Sequence, residues 1–175
     1  NVIQQEERTE EDLIAAGFKY YHRRKQLVMA RVLPDDEAPL ILELPWDTLI
    51  AEAGYYICYD PGDVWYVNRD SYDRWAVRPD IFESTYNEWD VPDWQPNKPE
   101  SYLMSFGCKP YYKFAGVWAK RLIYPTYIRS LESKSAALIP AGAWLAIGVK
   151  NAPWHIEDKE FRSRYQLSDG VENGA

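Results

Sequence analysis

The sequence predicts a mainly β protein with short helices (α+β), built as two tandem copies of a small curved β unit behind an N-terminal helix. Three observations carry this. First, the chain reads twice: Met29-Ala30-Arg31 and Leu42-Glu43 recur as Trp118-Ala119-Lys120 and Leu131-Glu132, and Ala53-Gly54-Tyr55-Tyr56-Ile57 recurs as Ala141-Gly142-Ala143-Trp144-Leu145. Second, Trp75, Phe82 and Tyr86 recur as Trp154, Phe161 and Tyr165 with unchanged internal spacing, so extra residues lie between Tyr59 and Trp75. Self-similarity of this kind marks one supersecondary unit used more than once. Third, eight Trp and fourteen Tyr among 175 residues supply the ring-rich side chains that small sheets pack with.

The elements follow in order. Residues 1–17 read as a helical arm: Thr9 is an N-cap, Glu10, Glu11 and Asp12 complement the helix dipole, and Gly17 stops the helix. Residues 18–87 form the first copy, with strand-like runs at 26–33, 39–44 and 55–59 separated by the turns Pro34-Asp35-Asp36 and Asp60-Pro61-Gly62-Asp63. An extended hairpin is expected over 60–75, with Trp65-Tyr66-Val67 and Trp75-Ala76-Val77 as its arms. Arg78-Pro79-Asp80 then opens a short helical turn in which Phe82 lies over Tyr86.

Residues 88–100 read as an extended linker, since Pro92, Pro96 and Pro99 bar regular structure, and Trp89 and Trp94 give it rings that must pack on something. The second copy covers 101–167, with strands near 112–123, 126–132, 143–149 and 154–156 and a closing turn at 158–165. A loose tail is expected at 168–175.

Composition narrows the function. The net charge of −7 makes a nucleic-acid backbone an unfavourable partner. No run reaches the roughly 18 apolar residues that span a bilayer, and no signal peptide is read at the start, so a cytoplasmic protein is expected. Cys58 and Cys108 occupy unmatched positions in the two copies and read as small core residues rather than as a disulfide or metal framework.

The stretch Ala53-Gly54-Tyr55-Tyr56-Ile57 followed by Trp75-Ala76-Val77-Arg78-Pro79-Asp80-Ile81-Phe82-Glu83-Ser84-Thr85-Tyr86 resembles the small PGDYG-type domain of phage and bacterial proteins. Ile139-Pro140-Ala141-Gly142-Ala143-Trp144 and Phe161-Arg162-Ser163-Arg164-Tyr165 carry a second, degraded version. The first copy lacks the Pro before its Gly, and neither copy has Asp after it. The resemblance implies a small binding or accessory module and transfers no catalytic residues. Physically, Phe82 with Tyr86, and Phe161 with Tyr165, are expected to plug one end of each sheet.

Candidate chemistry is sparse. Glu43 and Glu132 are matched carboxylates that would shift each other's protonation if brought together, as paired acids do in hydrolases. Asp60, Asp63, Asn68, Asp70 and Asp73 could ligate a hard cation, but their spacing is not that of a helix-loop-helix calcium site. His22 and His155 are the only histidines, at unmatched positions, which argues against a metal triad or a His base. No nucleophile elbow or Gly-rich phosphate loop occurs. The one basic cluster, His22-Arg23-Arg24-Lys25, lies beside Phe18, Tyr20 and Tyr21 and could meet single-stranded nucleic acid or an anionic patch on a protein; the acidic net charge favours the protein.

The expected function is therefore a non-enzymatic accessory or adaptor protein that docks to other protein chains within a larger assembly. No catalytic residues, cofactor or metal are assigned. Trp46, Trp65, Tyr66, Tyr72, Trp89 and Trp94 are the expected partner-binding residues. A binder of a small sugar or nucleotide, with rings converging on a concave surface, is the alternative, and a carboxylate-dependent hydrolase a second one.

Overall fold

The acidic run after Thr9 starts a helix where the sequence places one. In the computed structural model, which describes residues 1–167, α1 (Glu10–Ala15) is capped by a reciprocal pair: Asp12 N donates to Thr9 Oγ1 at 3.0 Å and Thr9 N donates to Asp12 Oδ2 at 2.9 Å. Gly17 follows at φ +92°, a conformation that a side chain disfavours, and turns the chain into a strand. The expected tail, 168–175, lies outside the described residues.

The chain divides into two compact units. The first comprises Asn1–Lys25, Leu44–Thr48 and the chain from Phe114; the second comprises Gln26–Glu43 and Leu49–Lys113. In chain order the strands are β1 (Val2–Ile3), β2 (Lys19–Arg23), β3 (Leu27–Val32), β4 (Leu40–Glu43), β5 (Thr48–Ala51), β6 (Tyr56–Asp60), β7 (Asp73–Val77), β8 (Tyr86–Glu88), β9 (Lys109–Lys113), β10 (Val117–Arg121), β11 (Thr126–Ile128), β12 (Ala137–Ile139), β13 (Trp144–Ile147), β14 (Pro153–Ile156) and β15 (Tyr165–Leu167). Three further helices are α2 (Pro79–Thr85), α3 (Lys98–Met104) and α4 (Asp158–Arg164). The fold is mainly β with short helices, as expected.

In the first unit a five-stranded sheet runs β14-β13-β10-β2-β15, with a three-stranded sheet β1-β11-β12. The five-stranded sheet is buried on both faces by the period-two alternation of its strands. Leu145 and Ile147 face Leu13, Phe18, Ile128 and Ile139. Val117, Ala119 and Ala146 face Ile156, Phe161 and Tyr165. Phe161 stacks on Trp144 (centroids 3.9 Å apart) and Tyr165 (5.2 Å) and takes the edge of Tyr21 at 4.9 Å.

In the second unit the sheet runs β7-β6-β3-β9-β8, and β4 pairs with β5. Phe82 stacks on Tyr56 (3.8 Å) and Tyr86 (4.3 Å) and takes the edge of Tyr111 at 5.0 Å, above Val28, Ala30 and Cys58. The paired rings thus cluster in both units, over a face of each sheet rather than at the end where they were expected, and each cluster is completed by a tyrosine from a strand that follows a short helix and a glycine.

That strand is where the observed pairing differs from the expected order. Lys19–Arg23 falls within 18–87, yet β2 pairs with β10 and β15. Lys109–Lys113 falls within 101–167, yet β9 pairs with β3 and β8. Three-residue connectors, Arg24–Gln26 and Phe114–Gly116, separate β2 from β3 and β9 from β10 and lead away instead of closing hairpins. The rings explain the preference: Tyr21 and Tyr111 each supply the edge contact that finishes a stack.

Two local expectations are corrected. The strand opposite Asp73–Val77 is Tyr56–Asp60, in register from Tyr56↔Val77 to Asp60↔Asp73, so Trp65-Tyr66-Val67 lies in the loop and not in an arm. The run Ile57-Cys58-Tyr59 takes the place because it is buried throughout, whereas Trp65, Tyr66 and Val67 are exposed. Residues 88–100 are also not irregular throughout. Asn97 caps α3, with Glu100 N donating to Asn97 Oδ1 at 2.9 Å and Asn97 N to Glu100 Oε1 at 2.8 Å. Pro99 sits in the first turn, where its missing N–H costs nothing.

Cys58 and Cys108 are buried and form no disulfide. Burial pushes the Cys108 thiol up to about 12, against the pull of Arg31 and Arg69. Because the thiolate is the reactive form, neither cysteine is expected to take up a maleimide at pH 7.5 in the folded chain, and both should do so after unfolding in urea. Rapid stoichiometric labelling of the native chain would contradict this packing.

Candidate functional site

The loop after β6 carries four exposed apolar side chains in a row. Val64, Trp65, Tyr66 and Val67 are all exposed, Val67 at 82%. Residues 61–72 are too short of internal ladder bonds to hold themselves, and the structure supplies anchors instead. Tyr66 N donates to the Tyr72 hydroxyl at 2.9 Å, and the Tyr72 ring is buried beneath the loop. Asn68 Oδ1 accepts from Asp70 N at 2.9 Å and opens a single 3-10 turn, Arg69–Ser71.

Helix α3 provides the second set of anchors. The Tyr102 hydroxyl donates to Val67 O at 2.7 Å, and Asn97 Nδ2 donates to Gly62 O at 3.0 Å. Trp65 meets Tyr102 edge-on at 5.1 Å, Tyr102 meets Phe106 at 5.1 Å, and Lys98 Nζ sits 4.3 Å over the Trp65 ring. Met104 and Phe106 are exposed and continue the apolar surface.

The third anchor is ionic. Glu37 accepts from Arg31 Nη1 and Nη2 at 3.2 and 3.0 Å and from Arg69 Nη2 at 3.2 Å, while Arg31 Nε donates to the Tyr59 hydroxyl at 3.1 Å. The Arg31 guanidinium hydrogen-bonded to it holds the Glu37 carboxyl below its ordinary range. Arg69 reaches over the Phe106 ring at 4.8 Å. The result is a surface of exposed rings and aliphatic groups held in one geometry before any partner arrives. Such a surface loses little entropy on binding.

The structure sorts the six expected partner-binding residues. Trp65 and Tyr66 lie on this surface, and Tyr72 supports it from below. Trp89 packs against Tyr112 at 6.2 Å, and both Trp89 and Trp94 are half-buried. Trp46 is exposed in the first unit. Tyr102, Met104 and Phe106 are not legible in the sequence because prolines hide α3, for which the Asn97-x-x-Glu100 pair is the available signal; Val64 and Val67 are missed because exposure cannot be read from composition.

Trp46 borders a cleft of about 300 Å³ between Leu44–Thr48 and Lys134–Ala137. Asp47, which lines it, also holds a polar latch: Ser133 Oγ donates to Asp47 Oδ2 at 2.6 Å, Thr48 N donates to Asp47 Oδ1 at 2.8 Å, and Ser130 N donates to Ser133 Oγ at 3.0 Å. Burial pushes the Asp47 carboxyl above its ordinary range and His155 below its own. Both carboxylate oxygens of Asp47 are thus engaged, one by the Ser133 hydroxyl and one by the Thr48 amide, which ties the turn Leu44–Thr48 to the segment after β11.

His155 gives this region a pH signature. With its folded value depressed below the unfolded one, it contributes stability that is present above about pH 6.5 and lost as pH falls from there towards the folded value. Urea midpoints should therefore drop between pH 7 and 5, and His155→Gln should flatten that slope. An unchanged slope would remove His155 as its source.

Glu43 ends β4 in the second unit, while Glu132 lies beyond β11 in the first. Asp70 is paired with Arg74 at 2.8 Å, and among the described residues no group of three or more His, Cys, Asp or Glu side chains is placed to hold a metal. The basic cluster ends β2 and is tied to its neighbour: Arg24 N donates to Arg164 O at 2.8 Å, and Arg23 lies 5.3 Å over the Tyr165 ring. No helix among the described residues is long and apolar enough to cross a membrane. Comparison with family models, curated proteins and solved structures finds no match to the chain.

Proposed function

We propose that the chain is two degenerate copies of one small β unit, used as a non-enzymatic accessory protein that docks to other protein chains in a larger assembly. The observation that carries this reading is the pinned surface of loop 61–72 and α3, where Trp65, Tyr66, Val67 and Phe106 stand exposed on a braced backbone. Rings of this type, clustered and preorganised, dominate binding energy at protein interfaces. The PGDYG-like stretches support the same reading, since that resemblance brings no catalytic residues with it. The exposed side chains follow one another along loop 61–72 and the end of α3, an arrangement that suits a protein partner better than a sugar or nucleotide.

The test is a photo-crosslinking residue at Val67, irradiated in cells of the chain's own source, with a second at Glu11 as control. Adducts of one defined mass are expected from position 67 and not from position 11. Trp65→Ala should reduce them at least tenfold, in line with a loss of about 2 kcal/mol or more at a hot spot. Adducts that ignore Trp65→Ala, or recovery of only the 20.5 kDa chain, would overturn the proposal.

A further inference from the structure

Away from the aromatic surface, β4 presents one bare edge. It pairs with β5 in a two-stranded sheet, and no strand among the described residues pairs with its other side. The register of the turn identifies which backbone groups face outward. Leu44 and Asp47 exchange hydrogen bonds in both directions, at 2.8 and 3.4 Å. By the alternation of antiparallel pairs Leu42 also faces β5, and Ile41 and Glu43 direct their N–H and C=O away from it. The side chains alternate too, with Leu42 buried and Ile41 53% exposed.

The first unit shows what such an edge takes. There β11 and β12 occupy the same place between β10 and β13 that β4 and β5 occupy between β3 and β6. Pro125 precedes β11 as Pro39 precedes β4, and Ile128 is buried while Tyr127 is exposed. The outer edge of β11 is covered by β1 in parallel, Val2↔Tyr127 and Ile3↔Ile128, with Arg129 N donating to Ile3 O at 2.8 Å. Ile3 packs onto the core and Val2 stays outside.

The second unit has no such strand, for a reason legible in the sequence. Val2-Ile3 lies ten residues before Leu13 of α1; the residues ten before Leu103 of α3 are Pro92-Asp93. Proline has no N–H to donate, and Asp93 adopts φ +63°, which breaks an extended run. The segment that would supply the third strand is unable to, and the edge Leu40-Ile41-Leu42-Glu43 carries no lysine or bulge to protect it.

We propose that the free edge of β4 receives an extended segment of a partner protein as a third, parallel strand. The segment fits as a two-residue apolar core: an aliphatic residue outward beside Ile41, and a β-branched residue inward beside Leu42. Exposed Asp35, Asp36 and Glu43 favour basic residues on either side of that core. Recognition is by main-chain bonds, as in strand addition at other sheet edges.

The probe is the synthetic hexapeptide Lys-Thr-Val-Ile-Thr-Lys, added to the intact chain and followed by amide hydrogen exchange in NMR spectra. At saturating peptide the Ile41 and Glu43 amides should slow at least tenfold, while the amides of loop 61–72 remain unchanged. Methylating the backbone nitrogens of the Val-Ile pair leaves the side chains intact and should abolish the protection. No binding at millimolar peptide, equal binding of the methylated peptide, or protection confined to loop 61–72 would each overturn the proposal. Ile41 and Glu43 already protected in the peptide-free chain, in a species twice the monomer mass, would overturn it in favour of a second copy as the occupant. Because the protein is unaltered throughout, no failure to fold enters the test. Loss of the Trp65-dependent crosslink would leave this result standing, so the two proposals fail separately.

Discussion

A fragment spanning residues 26–113 is expected to fold cooperatively on its own, and a fragment spanning 18–87 is not. The longer piece holds every strand of the sheet β7-β6-β3-β9-β8 together with α2 and α3, and of its residues only the turn Leu44–Thr48 belongs to the other unit. The shorter piece follows the division that the repeated sequence suggests. It lacks β9, which lies between β3 and β8, and with it Tyr111 and the α3 residue Leu103, which is fully buried. In a domain this small one core supplies only about 3–5 kcal/mol, so losing an interior strand and a helix removes all of it. Urea unfolding followed by far-UV circular dichroism, with Cys108 labelling as a second probe for the longer piece, decides the matter. A sigmoidal transition for 18–87 comparable to that for 26–113 would show that β9 is dispensable.

Replacing Phe161 by alanine is expected to cost the first unit about 3–5 kcal/mol, and Phe82→Ala to cost the second unit a similar amount. Each ring is 3% exposed and stacked on both sides, so truncation leaves a cavity that flanking rings cannot close without breaking their own contacts. Loss of the stacked and edge-on geometry contributes about 0.5–1.5 kcal/mol per pair within that figure. The two substitutions also separate the units: Phe82→Ala should unfold the 26–113 fragment, which does not contain position 161. A change below about 1 kcal/mol at either site, read from urea midpoints, would mean that the stack contributes nothing beyond surface coverage.

Much of this was legible in the sequence because it is local. Thr9 with Asp12, Gly17, and the Phe82–Tyr86 and Phe161–Tyr165 spacings each act within a few residues, and each is found where read. Strand partners are not local. Nothing near Lys19–Arg23 states that Tyr21 belongs against Trp144 and Phe161, because the alternative hairpin with β3 satisfies the same alternation. Helix α3 is concealed for another reason: Pro92, Pro96 and Pro99 read as breakers, and only its place in a first turn makes Pro99 compatible with a helix. For the exposed aromatic surface, the rings of loop 61–72 could be nominated from composition. Exposure could not, and Tyr72 shows why, since its chemistry matches Tyr66 while its ring lies underneath.

The placement of β2 also sets an order of events as the chain is made. Apart from one turn, the second unit is a continuous stretch and can close once residue 113 has left the ribosome. Strand β2, complete at Arg23, must wait for β10 (Val117–Arg121) and finally for β15 (Tyr165–Leu167). At about 5–20 residues per second the amino-terminal strand stands exposed for roughly 10–30 s, with Tyr20, Tyr21 and its open backbone groups available to any passing strand. A nascent-chain chaperone, or slow pausing after residue 113, would therefore matter more to the yield of this protein than its small size suggests.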